Sequence, residues 1–172
     1  MTRVNSDSRC RRRGLPPSQI LLEHLDFIRR RIHQGWPETQ IAMWEDAFSP
    51  YHGGYQWGFT EAGPVPPADI WQFVWYYSPF QALQQGWASL VHYQKFGLTT
   101  VVCPWFKLQN IREWAQVVGE ARRRGWRCLG MVDTTWSEPP PYANIRETAI
   151  VSWRIPSTGD KRWVAFTLPE EE

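Results

Sequence analysis

Cysteine is scarce: the 172 residues hold three, Cys10, Cys103 and Cys128. An odd and widely spaced set gives neither a disulfide framework nor the ligand spacing of a metal site. The cysteines are read as reduced, with Cys103 and Cys128 inside strands. The four histidines, His24, His33, His52 and His92, are scattered and form no metal motif. No cofactor is expected. No apolar run reaches the ~18 residues of a membrane span. The polar, basic N-terminus lacks the apolar stretch of a signal peptide. The reading is a soluble chain, cytoplasmic by default. There is also no large excess of one charge, with 19 Lys and Arg against 17 Asp and Glu. That argues against a general polyanion binder. Residues 1–14, with Arg9, Arg11, Arg12 and Arg13, are read as a disordered basic arm. A nucleic-acid arm would need a matching basic face, which the remaining sequence does not offer.

Tryptophan, in contrast, is abundant, with 12 copies. About half of these are expected in a core. The others recur where short apolar runs end. Four segments share the pattern: Ile41 to Asp46, Ile70 to Tyr77, Thr100 to Phe106 and Cys128 to Glu138. Each is apolar first, then aromatic or acidic. A short apolar run bounded by turn signals suits a strand of a parallel sheet. Aromatics and carboxylates at its C-terminal mouth suit a sugar site.

Helical patterns separate the runs. Leu21, Leu25, Ile28 and Ile32 give the first helix an apolar face, with Asp26 and Arg30 as an i,i+4 pair. Ser78-Pro79 reads as an N-cap with proline at the first helical position. Phe80, Leu83, Trp87, Leu90 and Val91 follow as the stripe of the second helix, and Gly97 ends it. Asn110 with Glu113 reads as a capping box for a helix carrying Ile111, Trp114, Val117, Val118 and Ala121. Arg122 to Arg124 suit the dipole at its end. Asn144 with Glu147 repeats the signature for a last helix, with Ile145, Ala149 and Trp153 on one face. Residues 49–68 form a long loop rich in proline, glycine and aromatics. It is read either as a sugar-facing lid or as a loop packed on the outside. Residues 157–172 are a tail, with a possible short strand from Trp163 to Leu168.

The alternation gives an α/β fold with a parallel sheet. Function then belongs at the C-terminal strand ends. Four strand–helix units over 15–156 make half of an eight-stranded barrel. The strand ends Trp44-Glu45-Asp46, Val74-Trp75-Tyr76, Cys103-Pro104-Trp105 and Leu129-Gly130 with Trp136-Ser137-Glu138 resemble those of the family-20 glycoside hydrolases, the β-N-acetylhexosaminidase type. The resemblance implies a partial (β/α)8 TIM barrel, approximately strands five to eight with their helices. It implies that Trp44, Trp75 and Trp136 form an aromatic box around a sugar, and that Glu138 binds its hydroxyls. The family's Asp-Glu catalytic pair would precede residue 1, so no catalytic residue is assigned here. The family's tyrosine after the seventh strand is also missing from Trp105-Phe106-Lys107-Leu108-Gln109.

Glu45, Asp46, Trp105 and Asp133 are secondary candidates at the strand ends. Two such carboxylates could flank a glycosidic bond if ~5–9 Å apart. The expected function is the carbohydrate-binding half of a glycoside hydrolase, active on terminal N-acetylhexosamine or a related sugar only when completed by an N-terminal half. The alternative is a non-catalytic carbohydrate-binding or interaction module. Expected partners are a carbohydrate and either a first half-barrel or a second copy. No membrane partner is expected. The remaining alternative, single-stranded nucleic acid on Arg9–Arg13 and Arg122–Arg124, would show steep salt dependence.

Overall fold

A computed structural model of the chain describes residues 13–105, 107–136 and 142–153. In order they form α1 (Pro17–Gly35), β1 (Ala42–Trp44), a 3-10 turn (Gly54–Trp57) and β2 (Trp71–Val74). A π-helical turn (Ala82–Gly86) then runs into α2 (Trp87–Lys95). β3 (Thr100–Val102), α3 (Leu108–Arg123), β4 (Cys128–Met131) and α4 (Tyr142–Trp153) follow. This is the predicted α/β alternation. The possible strand at 163–168 and most of the basic arm lie outside the described residues. Of that arm Arg13 is described, paired with Glu23.

The four strands are parallel and in sequence order, β1-β2-β3-β4. Right-handed crossovers in such an order put successive connections on one side of the sheet. Side chains alternate accordingly. Gln72, Val74, Thr100, Val102 and Cys128 are buried on the helix side. There Val74, Val102 and Cys128 pack with Leu83, Trp87, Leu90, Trp114, Val117 and Val118. Each fully buried aliphatic side chain contributes about 1.5–3 kcal/mol. The other side is more open: Ala42 and Trp44 are exposed and Trp71 and Phe73 half-buried, although Val101 beside Phe73 is buried.

The stripe of α3 is as predicted, with Ile111, Trp114, Val117, Val118 and Ala121 all buried. Gly97 and Gly125 follow their helices at φ of 69° and 72°, a conformation that glycine adopts without strain. Cys103 and Cys128 are buried free thiols. Burial, then the charge of Glu45, pushes the Cys103 thiol up to about 12.

Several local expectations are corrected. The Ser78-Pro79 start is not used. Residues 78–81 form a turn, Phe80 sits at φ 63°, the π-helical turn begins at Ala82 and regular α-helix only at Trp87. The capping box of Asn110 is not formed either: α3 starts at Leu108, so Asn110 lies inside its helix, and α4 starts at Tyr142, two residues before Asn144. Among the described side chains of α4, Thr148 and Val151 are buried, with Val151 packed on Ile111 and Ala115, whereas Ile145 and Ala149 are exposed; the Trp153 side chain lies outside the described ones.

The predicted apolar face of α1 is only half-buried at Leu21, Leu25 and Ile32, and Ile28 is exposed. A polar contact ties α1 down instead: Arg29 bonds Asp69 at 2.6 Å. Within the helix the expected Asp26–Arg30 pair forms at 3.0 Å. Arg123 and Arg124 both pair with Glu120, while Arg122 donates to the Leu129 carbonyl.

The 49–68 loop takes the outside position. It stands where the first crossover helix would be and lays Ser49 on Ser89 and Tyr51 on His92, both residues of α2. Phe59 anchors it, fully buried against Phe48.

Candidate functional site

The residues that follow the strands build an aromatic mouth. Trp44 ends β1, and its parallel-sheet partner on β2 is Phe73. Their rings meet edge to face at 5.5 Å. From Phe73 the two-residue alternation carries Trp75 and Tyr77 to the same side. Tyr77 packs on Trp75 at 4.8 Å and on Trp105 at 5.3 Å.

The chain after β4 is tied back by a bridge between Trp105 and Thr134. The Thr134 hydroxyl donates to the Pro104 carbonyl at 2.7 Å. This delivers Trp136 to Trp44, 5.2 Å between ring centroids. The Trp136 indole N–H then donates to the Tyr77 hydroxyl at 2.8 Å. Burial pushes the Tyr77 hydroxyl's pKa up, so it stays protonated and can itself donate to Thr134. Three of the predicted residues, Trp44, Trp75 and Trp136, thus lie in one connected cluster, with Trp105 at its flank. Trp44 is 38% exposed and Trp136 55%.

The strand-end carboxylates separate by role. Glu45 is fully buried, one residue beyond Trp44 and facing the helices. It accepts from the Tyr93 hydroxyl at 2.9 Å and bonds His52 Nδ1 at 3.1 Å. A buried carboxylate needs such donors. Asp46 accepts the Trp75 indole N–H at 3.4 Å and is only partly buried. Asp133 turns from the mouth toward α4. Burial holds its carboxyl above the usual range, and Thr148 opposes that shift without reaching hydrogen-bond geometry with Oδ1. Glu138 lies outside the described residues. Of the candidate carboxylates that are described, Asp46 alone faces the aromatic cluster.

Two residues read as helix caps serve the mouth instead. Asn110 Oδ1 accepts from the Trp105 backbone N–H at 3.0 Å, and its Nδ2 donates to the Tyr76 carbonyl at 2.7 Å. The buried amide thus clamps the ends of β2 and β3 together. Glu113 accepts the Phe80 N–H with both oxygens, at 3.1 and 3.0 Å, and so holds the positive-φ turn.

Sequence reasoning missed Tyr77 and His52. The strand alternation that selects Phe73 and Trp75 also selects Tyr77, so that signal was present. His52 packs on Trp75 at 4.3 Å and stacks on Tyr76 at 4.8 Å. Only the folded loop brings it there.

Among the described residues no group of three or more His, Cys, Asp or Glu is placed to hold a metal ion. No described helix is long and apolar enough to cross a membrane. Comparison with protein-family models, with curated proteins and with solved structures finds no match to the chain.

Proposed function

We propose that the strand-end mouth binds a carbohydrate on Trp44, Trp75 and Trp136. The observation that carries this reading is the exposed Trp44–Trp136 pair, held in place by the Tyr77 hydroxyl. An indole face suits the apolar C–H surface of a sugar ring, and its fixed orientation lowers the entropy cost of binding. Asp46 beside Trp75 supplies a carboxylate acceptor for a sugar hydroxyl. Glu138 is the second acceptor in this proposal.

The proposed fold is a partial (β/α)8 barrel, strands five to eight. Its support is the unbroken parallel order and the more open, partly aromatic sheet face. Sheet edges and an open face of this kind call for a partner. The proposal therefore keeps the resemblance to β-N-acetylhexosaminidases: this is a sugar-binding half whose hydrolytic activity requires an N-terminal half. A second reading, a carbohydrate-binding module without catalysis, is favoured by the burial of Glu45 and the turn of Asp133 toward α4. Those positions leave no described pair of carboxylates across the mouth.

The test is a titration of tryptophan fluorescence with mono- and oligosaccharides, including N-acetylglucosamine oligomers. Saturable quenching is expected, with affinity at least ~10-fold weaker in Trp44→Ala and in Trp136→Ala. Unchanged affinity in both variants overturns the assignment. Hydrolysis that appears only after a first-half partner is added selects the first reading over the second.

A further inference from the structure

Glu45, buried on the helix side, and His52, whose ring reaches Trp75 of the mouth, form a carboxylate–imidazole dyad. Glu45 has no exposure, whereas the His52 side chain is 22% exposed. The two carboxylate oxygens are divided between partners: Oε1 faces His52 Nδ1 and Oε2 accepts from Tyr93. With a carboxylate oxygen as the acceptor, Nδ1 is the donor of this bond. In the neutral ring the lone pair then lies on Nε2. That atom is neither buried nor hydrogen-bonded to any described residue.

The loop that carries His52 is tight. The Gly53 N–H donates to the Asp46 carbonyl at 2.8 Å, and the Gly54 N–H donates to the Ser49 carbonyl at 2.9 Å. A Cβ on Gly54 would lie 2.5 Å from the Ser49 carbonyl oxygen. The ring is also clamped between Trp75 and Tyr76. An imidazole fixed on one nitrogen, packed on two rings and open at the other nitrogen is preorganised to meet something from solution.

We propose that His52 Nε2 is a proton-accepting contact for a hydroxyl group of a ligand seated against Trp75, with Glu45 as the positioning residue that fixes the tautomer. This rests on the carbohydrate reading for the ligand class. The dyad itself is independent of that reading, and so is part of its test. A carboxylate buried only for packing would need its donors satisfied but would leave Nε2 unused.

The experiment uses the full chain with ¹⁵N-labelled histidine and long-range proton–nitrogen spectra. His52 is assigned by loss of its signals in His52→Gln. The expected spectrum shows a protonated Nδ1 and a lone-pair Nε2. Saturation with an oligosaccharide that quenches the tryptophans should shift the His52 Nε2 resonance and leave that of buried His92 in place. His52→Gln should weaken the same saccharide by ~5–10-fold, with circular dichroism showing that the variant is folded at the temperature of the titration. Glu45→Gln should turn His52 into a tautomer mixture. A proton on Nε2, or an Nε2 signal indifferent to saturating ligand, overturns the inference and leaves the carbohydrate reading standing.

Should no saccharide quench the tryptophans, that reading falls, and diethyl pyrocarbonate decides the dyad in the native protein. His52 reacting faster than exposed His24, with the advantage lost in Glu45→Gln, supports a Glu45-held base. Equal rates overturn it. Because Glu45→Gln alters a buried site, its folding is checked by circular dichroism. The reactivity of His52 relative to His24 in the unmutated chain gives the same decision without it.

Discussion

The indole N–H of Trp136 and the hydroxyl of Tyr77 lie 2.8 Å apart, although 59 residues separate them in the chain. Tyr77 belongs to the end of β2, and Trp136 follows β4. Their hydrogen bond therefore spans the mouth and sets the angle at which Trp136 meets Trp44. Tyr77→Phe keeps the ring packing on Trp75 and Trp105 but removes the acceptor. Trp136 is more than half exposed, so the lost bond costs little stability, about 0.5–1.5 kcal/mol. Its effect should fall on orientation. The expected result is several-fold weaker saccharide binding, with Trp136 contributing less to fluorescence quenching. Full affinity in Tyr77→Phe would show that the bond does not organise the mouth.

Asn110 is a stronger structural determinant of the same surface. Its side chain satisfies one backbone donor and one backbone acceptor, both at strand ends. Asn110→Leu removes the acceptor of the partly buried Trp105 N–H, while the Tyr76 carbonyl keeps the Trp114 indole N–H as its donor. An unsatisfied group costs about 1–3 kcal/mol. Urea unfolding should show a loss of about 1–3 kcal/mol. A loss under ~1 kcal/mol would mean that water replaces the amide readily.

The residues that carry the mouth were legible in the sequence only as far as local periodicity reaches. Trp44, Trp75 and Trp136 were singled out by the family resemblance among the aromatics that end the apolar runs. The stripe of α3 was legible because its period is written in adjacent residues. Asn110 and Glu113 misled because asparagine and glutamate satisfy any nearby orphan N–H. The sequence does not state whether that N–H is on their own helix or on a neighbouring loop. Glu45 looked like a mouth carboxylate, yet one step along a strand reverses the face. Its partner Tyr93 lies 48 residues away. The 49–68 loop offered no period at all, and so neither its outside position nor His52 could be placed.

Gly86 gives a test of the helix-side core. It lies in the π-helical turn, and a Cβ there would come within 2.4 Å of the Trp114 ring. Trp114 is fully buried and donates its indole N–H to the Tyr76 carbonyl at 3.3 Å. The ring therefore has little room to retreat. In most helical settings alanine is favoured over glycine by about 1 kcal/mol. Here overpacking should win, and Gly86→Ala is expected to destabilise by about 1–3 kcal/mol. Denaturant midpoints of the two proteins decide it. A stabilised Gly86→Ala would mean that Trp114 has another position to occupy.

His92 makes stability depend on pH. Its ring is buried and meets Tyr51, Tyr93 and Phe96 edge to face. Neither ring nitrogen has a hydrogen-bond partner among the described residues. Burial lowers its pKa, and Lys95 adds to the shift, while Glu61 pulls the other way. The unfolded chain, with histidine near its ordinary 6.5, then binds a proton that the folded chain refuses. Where the unfolded state holds more protons, stability rises with pH. The contribution of His92 is therefore fully present above pH ~6.5 and is lost as pH falls below that, toward its lowered folded value. His92→Phe keeps an aromatic ring in the cage and removes both unpaired nitrogens. Denaturant midpoints measured from pH 7.5 down to 5 should fall less steeply in His92→Phe than in the native chain. At pH 7.5 the variant should be no less stable. Parallel pH profiles for the two proteins would place the proton uptake on another group.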